Sequence, residues 1–221
     1  MKLTIFNGSP RGVHSNSSIL IDHFTKGFLQ VEGNSSELHY LIQVNKLKQS
    51  VEAFIHAEIA LFVFPLYTDI MPAVVKTFIE ALEPYCAREG NPPVGFIIHS
   101  GFPEALQLRT LERYLEKLSR RLGCKYLGTV IKGGTEGIRF STPDRVQPLF
   151  TLFQDLGKNF GQSGQFDQYI VKRLAQPERI PRWVSIIYNA LSFLPALNKG
   201  WDDQLKRNNA YERRNARPYK I

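Results

Sequence analysis

Short apolar runs alternate with amphipathic stretches through the first 135 residues, a pattern that predicts strands of a parallel sheet with helices between them. Residues 2–7 read as a strand that runs into a Gly/Ser/Pro turn. Leu20, Phe24 and Phe28 then recur at helical spacing over residues 17–30, with Ser15 or Asn16 suited to the N-cap. A second strand is expected at 37–42 and a short helix around 48–57. Residues 59–64, Ile-Ala-Leu-Phe-Val-Phe, are apolar without a break, as befits a central strand buried on both faces. Pro72 suits the first turn of a helix whose Val75, Phe78, Ile79 and Leu82 share one face. A fourth strand is expected at 94–99, a long helix opening at Pro103 with its leucines at 108, 111, 115, 118 and 122, and a fifth strand at 126–131. After Gly133-Gly134, read as a turn, the pattern turns helical at 144–160, 165–176 and 181–195, and a basic tail follows.

Five strands joined by right-handed crossovers build a three-layer α/β sandwich. The flavodoxin-like strand order 2-1-3-4-5 is the common solution at this size. The expected division is a sheet domain at 1–135 and a helical extension at 136–221. Trp183, Ile186, Ile187, Leu191, Phe193, Leu194 and Trp201 make that extension too apolar for a free linker, so it is expected to pack on its own domain or on a partner subunit, a basic aromatic helix lying on a membrane surface being the alternative.

Composition narrows the function classes. Of 221 residues, 43% are hydrophobic and 22% charged, which are ordinary globular values. No apolar run has the length of a membrane span, and the N-terminus lacks a secretory apolar core, so a cytoplasmic location is expected. Cys86 and Cys124 have neither the spacing of metal ligands nor that of a disulfide framework, and no metal site is assigned. The net charge of +8 resides largely in residues 206–221, which argues against a nucleic-acid partner.

In an open parallel sheet, ligands bind at the carboxyl ends of the strands where the strand order reverses. Three loops meet there, at residues 7–18, 65–71 and 100–104. The first is rich in small hydroxylated residues, Ser9, Ser15, Ser17 and Ser18, together with Asn16 and Arg11, and leads straight into a helix, the arrangement that receives a phosphate. Neither a P-loop nor a Gly-x-Gly-x-x-Gly fingerprint is present.

Three segments together, Gly8-Ser9-Pro10-Arg11 with Ser15-Asn16-Ser17, Pro65-Leu66-Tyr67-x-Asp69-x-x-Pro72, and Ser100-Gly101-Phe102-Pro103-Glu104, resemble the NAD(P)H-dependent FMN reductase family of the flavodoxin-like superfamily. The resemblance covers roughly residues 1–135. It implies that Ser9, Arg11, Ser15, Asn16 and Ser17 hold the FMN phosphate. Pro65, Leu66, Tyr67, Thr68, Asp69 and Ile70 would flank the isoalloxazine ring, with Ser100, Gly101 and Phe102 at its pyrimidine side. Such a protein takes hydride from NADH or NADPH and passes electrons to a small-molecule acceptor, a quinone, azo or nitro compound, metal ion or flavin. It needs no catalytic side chain of its own, because the cofactor carries the chemistry. The family's habit implies a homodimer or homotetramer. A flavodoxin-type electron carrier and a cofactor-free interaction module are the alternatives. His99, at the end of a buried strand, is read as a satisfied core histidine and is left out of the site.

Overall fold

The five apolar runs form a single parallel sheet in the computed structural model, which describes residues 1–191 and 195–217. Its strands are β1 (Lys2–Asn7), β2 (Ser35–Tyr40), β3 (Ile59–Pro65), β4 (Val94–His99) and β5 (Tyr126–Lys132), in the spatial order β2-β1-β3-β4-β5. That is the order expected from the sequence. Between the strands run α1 (Asn16–Phe28), α2 (Leu47–Ile55), α3 (Ala73–Ala81) and α4 (Arg109–Leu122). After β5 come α5 (Pro143–Ser163), α6 (Gln168–Leu174), α7 (Arg182–Leu191) and α8 (Pro195–Arg207).

Strand alternation sends successive side chains to opposite faces and so builds two cores. On one face Phe6, Phe62, Phe64 and Phe96 pack with Phe54 of α2, Phe78 of α3 and Leu111 and Leu115 of α4. On the other, Leu3, Ile5, Leu61, Val63, Ile97 and Val130 meet Leu20, Phe24 and Phe28 of α1 and Phe153, Leu156 and Phe160 of α5. The first core is largely aromatic, with the Phe6 and Phe62 rings 5.0 Å apart and Phe62 and Phe96 5.6 Å apart.

Two glycines let α1 and α5 cross in close contact. A Cβ on Gly27 would stand 1.8 Å from the Gln154 carbonyl oxygen, and one on Gly157 would stand 1.9 Å from that of Phe24. Glycine inside a helix costs about 1 kcal/mol relative to alanine; the close crossing offsets this by burying Phe24, Phe28, Phe153 and Phe160 completely. The position of α1 is thereby fixed, and with it the loop that precedes it.

Three boundaries differ from the sequence expectation. The fourth helix begins at Arg109, not Pro103, because Ala105 and Leu106 give their amides to the carbonyls of Pro177 and Glu178, and a 3-10 turn intervenes. Strand β2 starts at Ser35, whose amide donates to Met1, and Ile42 lies beyond its end. Helix α8 occupies ground read as the beginning of the basic tail. Backbone packing separates a unit Met1–Arg179 from a second that begins at Ile180, so α5 and α6, which lie beyond residue 135, belong with the sheet. Phe193 and Leu194, counted among the apolar residues of the extension, lie outside the described residues.

Candidate functional site

The loop after β1 is folded around Asn7, the last residue of the strand. Asn7 is fully buried; its Nδ2 donates to Ser18 Oγ at 3.0 Å and to Ser15 Oγ at 3.4 Å, and its Oδ1 accepts from the Ser9 amide at 2.9 Å. Ser15 is the N-cap of α1, accepting from the Ser18 amide at 3.0 Å. A serine cap at this position removes one unsatisfied donor of the first helical turn. Gly8 serves packing: a Cβ there would lie 2.2 Å from Cγ2 of Val75 in α3.

A second loop closes over the first. Residues 133–142, after β5, reach back so that Thr135 O accepts from Asn16 Nδ2 at 2.8 Å and Glu136 lies 3.5 Å from the Arg11 guanidinium. Arg139 donates to the carbonyl of His14. Gly133 makes this return possible, since a Cβ there would meet the carbonyl oxygens of Pro103 and Phe102 at 2.5 and 2.7 Å.

Between these loops sits His99, completely enclosed. Its Nδ1 lies 2.9 Å from Thr135 Oγ1 and its Nε2 2.8 Å from Ser17 Oγ. The single hydroxyl proton of Thr135 goes to the Ser100 carbonyl at 3.0 Å. Donor counting then fixes the tautomer: His99 carries its proton on Nδ1 and donates to Thr135, and Ser17 donates to the bare Nε2. Burial pushes the His99 pKa down to about 3, so the ring is neutral.

The same count sorts the residues assigned to phosphate binding. Ser17 has committed its proton to His99. Ser18 donates to the Gly12 carbonyl, so Ser15 gives its own proton to Ser18 Oγ, 3.1 Å away. The donors left uncommitted are the Ser9 hydroxyl, which only accepts from the Arg11 amide at 3.4 Å, the exposed Arg11 guanidinium beside Glu136, and the Asn16 and Ser17 amides. These two amides precede the first internal bond of α1 and have no backbone partner among the described residues. Asn16 Oδ1 is buried without a partner among the described residues. Two helix-start amides, a hydroxyl and a guanidinium form a donor set that suits an anion. The residues present therefore fit a phosphate group through backbone and Arg11 more than through the serine hydroxyls.

The loop after β3 makes a two-residue hairpin turn: Tyr67 N donates to Ile70 O at 2.9 Å and Ile70 N to Tyr67 O at 3.2 Å. Thr68 holds a φ of 56° in it, a left-handed conformation disfavoured for a β-branched residue and found most often at functional loops. Pro65 and Leu66 are buried behind the turn, with the Leu66 amide donating to His99 O at 2.7 Å, while Thr68 and Asp69 are exposed at its tip. After β4, Ser100 Oγ donates to Phe102 O at 3.1 Å and Gly134 N donates to the same oxygen at 2.8 Å. A Cβ on Gly101 would first meet Glu136 Cβ, at 3.4 Å. Tyr67, Ile70 and Phe102 are 43–52% exposed, so both loops offer apolar surface to solvent at the carboxyl edge of the sheet.

Asn7, Thr135, Glu136 and Arg139 have structural parts in the site that sequence reading did not assign. A signal for Asn7 was available, a polar residue closing an apolar strand. His99 does behave as a satisfied core histidine, and its partners are two residues of the candidate site.

No family model matches the chain, and no curated protein matches it. Solved structures do. An FMN-dependent NADH-azoreductase from Bacillus anthracis in complex with FMN superposes with a TM-score of 0.56 at 15% identity, over 73% of this chain and 100% of that one. An NAD(P)H:quinone oxidoreductase from Methanothermobacter marburgensis gives 0.56 at 17% identity, over 72% and 96%. The apo form of an NADH:FMN oxidoreductase gives 0.56 at 16% identity, over 80% and 96%. The chain has the flavodoxin-like fold of these proteins, a five-stranded parallel sheet between helical layers.

Proposed function

We propose that this protein binds FMN at the carboxyl edge of its sheet and is an oxidoreductase that moves electrons from NADH or NADPH to a small-molecule acceptor. The observation that carries the reading is the uncommitted donor set at the start of α1, next to two loops with exposed apolar side chains. The functions printed for the structures of like fold, azoreductase, quinone oxidoreductase and NADH:FMN oxidoreductase, support the class. In this reading Ser9, Arg11 and the Asn16 and Ser17 amides hold the phosphate, while Ser15 and the Ser17 hydroxyl keep the loop in shape. Pro65 to Ile70 and Ser100 to Phe102 flank the ring, with Tyr67, Ile70 and Phe102 excluding water from it. Bound FMN supplies hydride acceptance and one- or two-electron delivery, and the chain supplies position and an open face. The unit at work is a homodimer or homotetramer of the cytoplasm.

The experiment is a comparison of FMN with riboflavin, which has the same ring and no phosphate, by quenching of flavin fluorescence. Charge-assisted hydrogen bonds contribute roughly 1.5–3 kcal/mol each, so FMN is expected to bind at least about a hundredfold more tightly. Equal affinity for the two flavins, or no binding of either, overturns the reading.

A further inference from the structure

An exposed apolar face outside the candidate site lies on α7. Trp183, Ile186, Ile187 and Leu191 are 40–67% exposed, and their spacing of i, i+3, i+4 and i+8 places them on one arc of the helix, about 140° wide at 100° per residue. No acidic residue occurs in α7. Trp201, on α8, is 66% exposed as well.

The segment that carries this face is strongly basic. Residues 180–221 hold eight Lys and Arg against three Asp and Glu, a net of +5 out of +8 for the chain. Lys199, Lys206 and Arg207 lie on α8, and Arg213, Arg214 and Arg217 follow it. An apolar helical face with tryptophan, followed along the chain by a run of cations, matches the two halves of a bilayer interface: the acyl boundary and the anionic headgroups. Helix α7 has 10 residues and is about 15 Å long, half the hydrocarbon thickness. No described helix is long and apolar enough to cross a membrane. Such a helix lies on the surface.

Charge decides against a second copy of this chain as the occupant. Pairing through α7 would bring two segments of +5 together, which costs Coulomb energy, whereas an anionic surface gains it.

We propose that residues 180–221 dock this protein on an anionic lipid bilayer, with the Trp183, Ile186, Ile187 and Leu191 face of α7 in the headgroup–acyl boundary and the basic residues beyond it against lipid phosphates. This goes beyond the redox reading and does not depend on it.

The test uses the full chain and its own fluorescence. Both tryptophans of the protein, Trp183 and Trp201, lie in this segment, so their emission reports on it alone. Vesicles containing one third phosphatidylglycerol in phosphatidylcholine are expected to shift the emission to the blue and to carry the protein down on centrifugation, and 0.5 M NaCl to weaken both effects. Pure phosphatidylcholine vesicles should bind it far less. Replacing Arg213, Arg214 and Arg217 together by Gln should lower the partition coefficient about a hundredfold, at roughly fivefold for each cation near the surface. Ile186→Glu with Ile187→Glu should abolish the blue shift. No shift and no pelleting of the unaltered protein with the anionic vesicles overturns the proposal. It is equally overturned by a concentration-dependent blue shift without lipid that the Ile186→Glu, Ile187→Glu variant loses along with its oligomeric state, since the face would then be a protein interface.

Discussion

Acid should destabilise this protein chiefly through one buried ring, with His23, whose pKa is also lowered by burial, acting in the same direction and common to the variant compared below. His99 is neutral and bonded at both nitrogens, and burial holds its pKa down at about 3. In the unfolded chain the same group titrates near 6.5. The unfolded state therefore binds more protons between these values, and stability rises with pH through that window. Above about pH 6.5 the folded state incurs no cost from His99; as pH falls toward 3 the unfolded state gains. From the two pKa values the loss at pH 5 relative to pH 7.5 is about 2 kcal/mol, and at pH 4 about 3 kcal/mol. Protonation would also force a rearrangement, because Nε2–H would become a donor and Ser17 would have to turn its hydroxyl away. Lys132, the cross-strand neighbour of His99, has its own pKa lowered by burial and adds like charge on the same sheet face. Arg11 and Glu136, exposed and opposite in charge, lie over the loops around it. The assay is urea unfolding at pH 7.5, 6 and 5 for the protein and for His99→Gln, which keeps a polar side chain but does not titrate. Lowered carboxylates such as Glu37 and Glu178 lose their contribution only below about 4.5 and are common to both proteins. The account predicts that stability of the unaltered protein falls by about 2 kcal/mol more than that of the variant between pH 7.5 and 5. Equal pH dependence in the two would refute the buried neutral histidine.

Three other variants separate loop structure from ligand binding and helix packing. Ser17→Ala removes the donor to His99 Nε2 and should cost about 1–3 kcal/mol of stability by leaving a buried acceptor unpaired, read by thermal or urea unfolding; no loss would mean that the hydroxyl faces elsewhere. Ser9→Ala with Arg11→Ala removes two uncommitted donors without touching the network around Asn7, so FMN affinity should fall at least tenfold while the unfolding midpoint is held; a midpoint shift with unchanged affinity would contradict the assignment. Gly157→Ala places a methyl group 1.9 Å from the Phe24 carbonyl oxygen and should destabilise by about 2 kcal/mol or more through forced separation of α1 and α5; a neutral effect in urea unfolding would show that the crossing is looser than described.

The parts of this structure legible in the sequence are those governed by local pattern. The unbroken apolar run of β3 announces a strand covered on both faces, and the alternation of such runs with amphipathic helices leaves few sheet orders open. The strand order, legible in the same way, is what singles out the carboxyl edge as the candidate site. What each hydroxyl donates to was not legible, because the partners are distant in sequence: Ser17 bonds His99, 82 residues away, and Asn16 bonds Thr135, 119 residues away. Gly133-Gly134 reads as a turn, yet its consequence is a loop returned over the first by contacts that only the folded sheet creates. The start of α4 depended likewise on Pro177 and Glu178, whose carbonyls take up the amides of Ala105 and Leu106 and delay the helix beyond Pro103. Helix α8 was hidden by its polar, charged composition and by the basic residues that follow it.

The most direct test of the central claim is an anaerobic titration of the purified, FMN-loaded protein with NADH and then NADPH, followed in the visible spectrum. The account predicts that the visible absorbance of the oxidised flavin bleaches on addition of one or both nucleotides and returns when a quinone or azo compound is admitted. Protein that takes up no flavin, or that stays yellow with both nucleotides in excess, would contradict it.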